Sequence, residues 1–294
     1  MSAPPTDARR IVWIASYPKS GNTWLRSFLA TYFFPPGQAP DINHLRQFTT
    51  GDVRIDFYER ASGRSPFQAT GLEDWVQVRQ KALRLIALSK PGSHFVKTHC
   101  RIDRVGRLPL IPPALTAGAI YVIRNPFDVA QSYARHLGTD PDGAIEAMAD
   151  RQATMMTRAK MFEVHGRWDD HIASWTGAEG LHHHVIRYED MIGATEATFR
   201  RLLAFLQQKV DPAALARAIE ATAFEKMKDQ EREKGFIERP DHMPAFFARG
   251  QAGSWRDELT PPQVARIRAE FLPAIERWYP EMLDETAAIA GQAS

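Results

Sequence analysis

Cysteine is almost missing from this 294-residue chain: Cys100 stands alone, which excludes an intrachain disulfide framework and a cysteine-rich zinc site and suits a reducing compartment. Long hydrophobic runs are missing too. Nothing approaches the roughly 18 apolar residues of a membrane span, and the apolar run after Arg9 and Arg10 is only about five residues, too short for a secretory h-region. A cytoplasmic location is expected. Excess charge is small as well: 37 Lys and Arg against 35 Asp and Glu give a formal net charge of +2 and a pI of about 8.7. That is far from the basic footprint of a nucleic-acid binder, although a few cations can still converge on one polyanionic ligand. No internal repeat is present. What remains is 44% hydrophobic and 24% charged, ordinary for a globular protein and enough for one large α/β domain or two small ones.

The most informative stretch runs from Ile11 to Tyr32. Ile11-Val12-Trp13-Ile14-Ala15 is a short apolar run that predicts a buried strand, Ser16 to Asn22 is turn chemistry, and Thr23 begins a helical pattern. A strand-to-helix loop presents unpaired N–H groups at a helix N-terminus, where donors and dipole favour an anion. Lys19 adds a full charge, Ser20, Asn22 and Thr23 add short polar groups, and Gly21 permits close backbone approach. The stretch reads as a cradle for a phosphate-like group or, more plainly, as a lysine in a polar turn. It lacks the GxxxxGK(S/T) pattern of nucleoside-triphosphate loops, because Lys19 precedes the only nearby glycine.

Further along, Ser93 to His99 predicts a second strand with Lys97 and His99 on one face, at the strand end where ligands of parallel sheets sit. A histidine of near-neutral pKa can take a proton from an attacking hydroxyl, and a lysine can offset charge on a transferring group. Ala119 to Ile123 is a third strand, apolar on both faces. A helix over Pro126 to Leu137 then turns Arg124 and Ser132 toward one anion at its start. Other helices are expected over 75–88, 144–164, 167–175, 194–208, from Asp211-Pro212 onward, 262–271 and 274–278, with a fourth strand over 181–188. Residues 229–254 are charged and interrupted by Pro and Gly, a long irregular loop suited to a lid. Phe48, Phe57, Tyr58, Phe67 and Trp75 either line an apolar pocket or pack in the core. The run His182-His183-His184 suggests a metal, but alternate strand residues face opposite sides, so none is expected there. Residues 1–10 and 289–294 are expected to be loose ends.

Five separated segments, in order, resemble motifs of the sulfotransferases that use 3′-phosphoadenosine 5′-phosphosulfate (PAPS). Tyr17 to Trp24, YPKSGNTW, is similar to the family's YPKSGTTW loop, which grips the 5′-phosphosulfate; only Asn22 departs, replacing a Thr. Lys97-Thr98-His99 resembles the KTH motif, whose histidine is the catalytic base. RNPFDVAQSYARH resembles RNxxDVxxSYxxH, whose Arg and Ser hold the 3′-phosphate, here Arg124 and Ser132. Tyr188-Glu189-Asp190-Met191 resembles YEDM, whose Tyr lies near the adenine, and Thr222 to Lys228 resembles TSFxxMK, whose Phe stacks on adenine opposite the Trp of the first loop. Phe224 and Trp24 would form that clamp. Residues 247–256 resemble RKGxxGDWK imperfectly: Ala248 and Ser254 replace its Arg and Asp, leaving Arg249 and the N–H of Gly250 for phosphate and one cation absent. The family's KxxxTVxxxE dimer motif is not recognisable near Glu258, and no dimer is inferred.

The resemblance spans residues 11–256. It implies a single α/β domain over 1–294, with a central parallel sheet flanked by helices in the P-loop-like sulfotransferase fold. It further implies transfer of a sulfuryl group from PAPS to a hydroxyl, or less readily an amine, of a small-molecule acceptor, leaving adenosine 3′,5′-bisphosphate (PAP). His99, Lys19 and Lys97 would be catalytic. Lys19, Ser20, Gly21, Asn22, Thr23, Trp24, Arg124, Ser132, Tyr188, Phe224, Arg249 and Gly250 would bind the donor, with no metal required. No nucleic acid or membrane partner is expected. An ATP-dependent small-molecule kinase and a non-catalytic nucleotide-binding protein are the alternatives.

Overall fold

The apolar run at the start of the chain becomes β1 (Ile11–Ser16) and the periodic segment after it α1 (Asn22–Phe33), in a computed structural model that describes residues 10–156 and 161–293. The next elements are β2 (Thr50–Gly51), α2 (Ile55–Ser62), α3 (Leu72–Ala87) and β3 (His94–Thr98). A small hairpin, β4 (Arg104–Val105) and β5 (Leu108–Pro109), leads to β6 (Thr116–Ile123), α4 (Pro126–Leu137) and α5 (Pro141–Ala149). A second hairpin, β7 (Thr154–Met156) and β8 (Phe162–Val164), precedes α6 (Trp168–Thr176) and β9 (His183–Arg187). The remainder is helical: α7 (Tyr188–Gly193), α8 (Thr195–Phe205), α9 (Pro212–Ala221), α10 (Phe224–Lys234), α11 (Pro261–Trp278) and α12 (Leu283–Ala290).

Five strands pair in the order β2-β3-β1-β6-β9, all parallel. The central strands β1 and β6 are largely apolar on both faces because both faces are covered. Trp13, Ala15, Tyr121 and Ile123 pack with α3, α4, α6 and α11 on one side; Ile14, Ile120, Val122 and Ile186 pack with α1, α8 and α9 on the other. The chain leaves β1 for β3 on one side and later reaches β6 on the other, so the strand order reverses around β1. A crevice at such a reversal, beyond the carboxyl ends of the strands, is where open parallel sheets bind ligands.

Local signals account for several ends. Pro126 opens α4 behind an Asn125 cap whose side chain accepts from the Asp128 N–H, and Gly138 closes it at φ 71°. Asp211 caps α9 in the same manner. Two expectations need correction. A single helix over 144–164 does not form: α5 stops before Asp150, and Phe162-Glu163-Val164 pairs antiparallel with Thr154 to Met156. The irregular loop begins only after Lys234, because residues 229–234 belong to α10. The two helices expected over 262–271 and 274–278 are present within α11, meeting at a kink where Phe271 leaves helical geometry (φ −122°, ψ 15°) two residues before Pro273. At the C-terminus, residues 291–293 continue from α12 as a 3₁₀ turn. Residues 1–9 lie outside the described part. Among the described residues, no helix is long and apolar enough to cross a membrane.

Candidate active site

The carboxyl ends of the central strands deliver the motif residues to one place. β1 runs into the Lys19 loop, β3 into His99, β6 into Arg124 and β9 into Tyr188. All four residues open onto a cavity of about 970 Å³. Gly21, Asn22, Thr23, Trp24, Lys97, Ser132, Phe224, Arg249 and Gly250 line it too. Of the residues expected from the sequence, Ser20 alone is not on the wall; its hydroxyl is buried beneath without a partner.

In the loop, Lys19 has φ 67° and Gly21 φ 102°, so the backbone curls to expose the N–H groups at the start of α1. A side chain at Gly21 would also bring a Cβ within 2.5 Å of the Tyr188 ring. The Lys19 ammonium lies 3.8 Å from the centroid of Phe246. Burial, then the charges of Arg124 and Arg135, lower its pKa to about 7. An anion in the cavity would oppose both effects by favouring the charged ammonium. Asn22 departs from a simple ligand role: its Nδ2 donates inward to the Ile14 carbonyl at 3.1 Å and toward Ser16 Oγ at 3.4 Å. The start of α1 still offers its unpaired backbone donors.

Arg124 is nearly buried. Its Nη1 donates to the Lys19 carbonyl and its Nη2 to the Gln251 carbonyl, each at 3.2 Å, and its guanidinium lies over the Tyr188 ring. Asp128 accepts from the Gly253 and Trp255 N–H groups, while Ser254 Oγ donates to Gln131 at 2.9 Å. These bonds lock the 247–256 segment to α4. Ser254 therefore keeps a polar link where the resembling motif has Asp. Trp24 meets Tyr188 edge to face at 5.8 Å. A side chain at Gly250 would collide with the Phe224 ring, so the glycine lets loop and ring approach.

His99 Nδ1 donates to the Ser16 carbonyl at 2.8 Å, which fixes the tautomer and leaves Nε2 free. Burial, followed by the Lys97 charge, holds its pKa well below the usual histidine range, so the ring is a neutral base. The sequence did not single out what surrounds it. Glu163 of β8 reaches Lys97 at 3.5 Å; burial works against its charge, but the Lys97 charge and the neighbouring His165 and His99 together hold its pKa well below the usual carboxylate range. His171 of α6 donates from Nε2 to the His99 carbonyl and accepts from the Tyr121 hydroxyl through Nδ1 at 2.7 Å. The alternation in Phe162-Glu163-Val164-His165 was the available clue to Glu163, masked by the helical reading of that segment.

Phe57, Tyr58, Phe67 and Trp75 are buried in the core and Phe48 packs against the other face; none lines the cavity. Apolar parts of the cavity wall come instead from residues such as Val53, Ile55, Met155, Met156 and Phe246. His182 and His184 stack on Phe205, while His183 bonds the Leu181 carbonyl. No group of three or more metal-ligating side chains occurs among the described residues.

The strand ends of a parallel sheet thus bring a strand-to-helix loop, a buried arginine and a neutral histidine to one cavity. Residues 9–279 match the model of the sulfotransferase domain, and the chain belongs to that family. It is 26% identical over 277 residues to sulfotransferase 1A1 of Canis lupus familiaris, covering 90% of this chain and 82% of that protein. It is 25% identical to human sulfotransferase 1C2, covering 86% and 79%. Among solved structures, a retinol dehydratase complex with retinol and PAP superposes with a TM-score of 0.64 at 20% identity, covering 93% of this chain and 82% of that one. Mouse sulfotransferase SULT7A1 complexed with PAP gives 0.57 at 17%, covering 97% and 90%. These two likenesses bear on the fold.

Proposed function

We propose that this protein transfers a sulfuryl group from PAPS to a hydroxyl of a small, largely apolar acceptor, releasing PAP. Lys19 and Arg124, 105 residues apart in sequence, meet through a 3.2 Å hydrogen bond, with His99 on the same cavity. That convergence supports a donor held at both ends beside a base. Trp24, Tyr188 and Phe224 supply aromatic surface for its adenine. The apolar side chains that share the cavity with His99, among them Val53, Ile55, Met155, Met156 and Phe246, favour an apolar acceptor, and retinol, bound in the retinol dehydratase complex, is an apolar alcohol.

His99 Nε2 takes the acceptor's hydroxyl proton as the new oxygen–sulfur bond forms and the bond from sulfur to the 5′-phosphate oxygen breaks. Lys19 and Lys97 offset the negative charge that grows on the departing oxygen and on the sulfuryl oxygens. Glu163 balances the cation of Lys97, which would otherwise oppose proton uptake by His99. His99→Ala should reduce sulfate transfer from radiolabelled PAPS to an acceptor panel by at least about 100-fold, with PAP affinity within about threefold of wild type. Ordinary turnover by that variant would remove the base from the scheme. A larger thermal shift with ATP than with PAP would favour a kinase.

A further inference from the structure

Ala248 stands where the resembling motif has an arginine, so the donor cavity should be one cation short. A different residue fills that gap. Arg135 lies three positions after Ser132 on α4, hence on the same helical face, and opens onto the cavity shared by Ser132, Arg124, Ala248 and Arg249. Its Nη1 is 2.9 Å from Glu258 Oε2, and Arg249 Nη2 is 2.5 Å from Oε1 of the same carboxylate. One glutamate thus holds two guanidiniums side by side.

Arg124 adds a third guanidinium, and its Nε is buried with no hydrogen-bond partner. Asp128, 3.7 Å from Arg124, already accepts from two backbone N–H groups of the 247–256 segment. The local balance is three cations against two carboxylates, a surplus that suits a multiply charged anion. Arg135 also acts across the cavity: after burial and the charge of Arg124, its charge contributes to lowering the Lys19 pKa.

We propose that Arg135 is a donor-binding residue that contacts the 3′-phosphate and supplies the cation absent at position 248. The assignment rests on the sulfotransferase reading. A guanidinium on α4 replaces one on the loop, and Glu258 presets it together with Arg249.

Calorimetric titration of wild type, R135A and R135A/A248R with PAP and with adenosine 5′-monophosphate, which lacks the 3′-phosphate, tests the assignment. R135A should lose roughly 10- to 100-fold in PAP affinity, as expected for a charge-assisted hydrogen bond, and under about threefold for the monophosphate. A248R added to R135A should recover most of the loss. Unchanged PAP affinity in R135A, or an equal loss for both nucleotides, overturns the assignment, and unliganded melting temperatures separate a folding defect from either result. If wild type itself fails to prefer PAP over the monophosphate, there is no 3′-phosphate site and the sulfotransferase reading falls with it.

Discussion

Lys19 concentrates the physics of the site in one side chain. Its backbone occupies the left-handed region, a strain of about 1 kcal/mol or more for a non-glycine residue, and its ammonium rests on Phe246 with a pKa lowered to about 7. A bound polyanion favours the protonated form, so PAP affinity should weaken as pH rises through 7. Binding at pH 8 should take up a proton, visible as a dependence of the calorimetric enthalpy on buffer ionisation, and K19M should abolish that uptake. Stability of the unliganded protein moves the other way. The folded pKa is depressed, so between pH 7 and about 10.4 the unfolded chain holds more protons. On that account stability rises with pH across the window, and K19M should flatten this contribution. Lys19, Arg124 and Ser132 were legible in the sequence because each sits in a contiguous motif. Glu163 and Arg135 were not, because their partners lie on other elements.

At the scale of elements, α10 and the segment after it work as a unit. The buried Glu231 carboxylate accepts from the Phe246 N–H at 2.8 and 3.0 Å and from the Phe247 N–H at 2.8 Å. Glu238 accepts from Arg26 of α1 at 2.8 Å. These two anchors hold Phe246 over Lys19 across the cavity. Glu231→Ala strips three charge-assisted bonds and leaves two backbone donors unpaired, each worth about 1–3 kcal/mol. Limited proteolysis within 235–253 should then accelerate at least about tenfold while the core melts only a few degrees lower. Unaltered cleavage would show that the segment is held by its aromatic packing alone. The sequence marked this region as lid-like from its prolines and glycines but could not show where helix gave way to loop, since a charged run suits both.

Across the whole molecule, one buried pair joins the sheet edge to the helical layer. Arg79 of α3 donates to Asp52 Oδ2 at 2.6 Å, to the Leu110 carbonyl and to the Tyr58 hydroxyl, while Thr98 Oγ1 donates to the same Asp52 oxygen at 2.7 Å. Thr98 is the residue between Lys97 and His99, so this network holds the strand end that carries both. Asp52→Ala leaves a buried guanidinium unpaired and should destabilise by about 3–5 kcal/mol, read as a shifted denaturant midpoint. By contrast, fully exposed ion pairs should each matter by under about 1 kcal/mol. Local chemistry alone determined the strand-loop-helix at the start and the central strand that is apolar on both faces, because these depend on apolar runs, caps and glycines that are neighbours in the chain; the parallel sheet as a whole came from the order of the motifs. Tertiary structure alone decided the hairpin that brings Glu163 to Lys97, the withdrawal of Phe57, Tyr58, Phe67 and Trp75 into the core, and the glutamate that pairs Arg135 with Arg249. Those depend on which surfaces meet when two layers of helices close on one sheet, and sequence distance carries no record of that meeting.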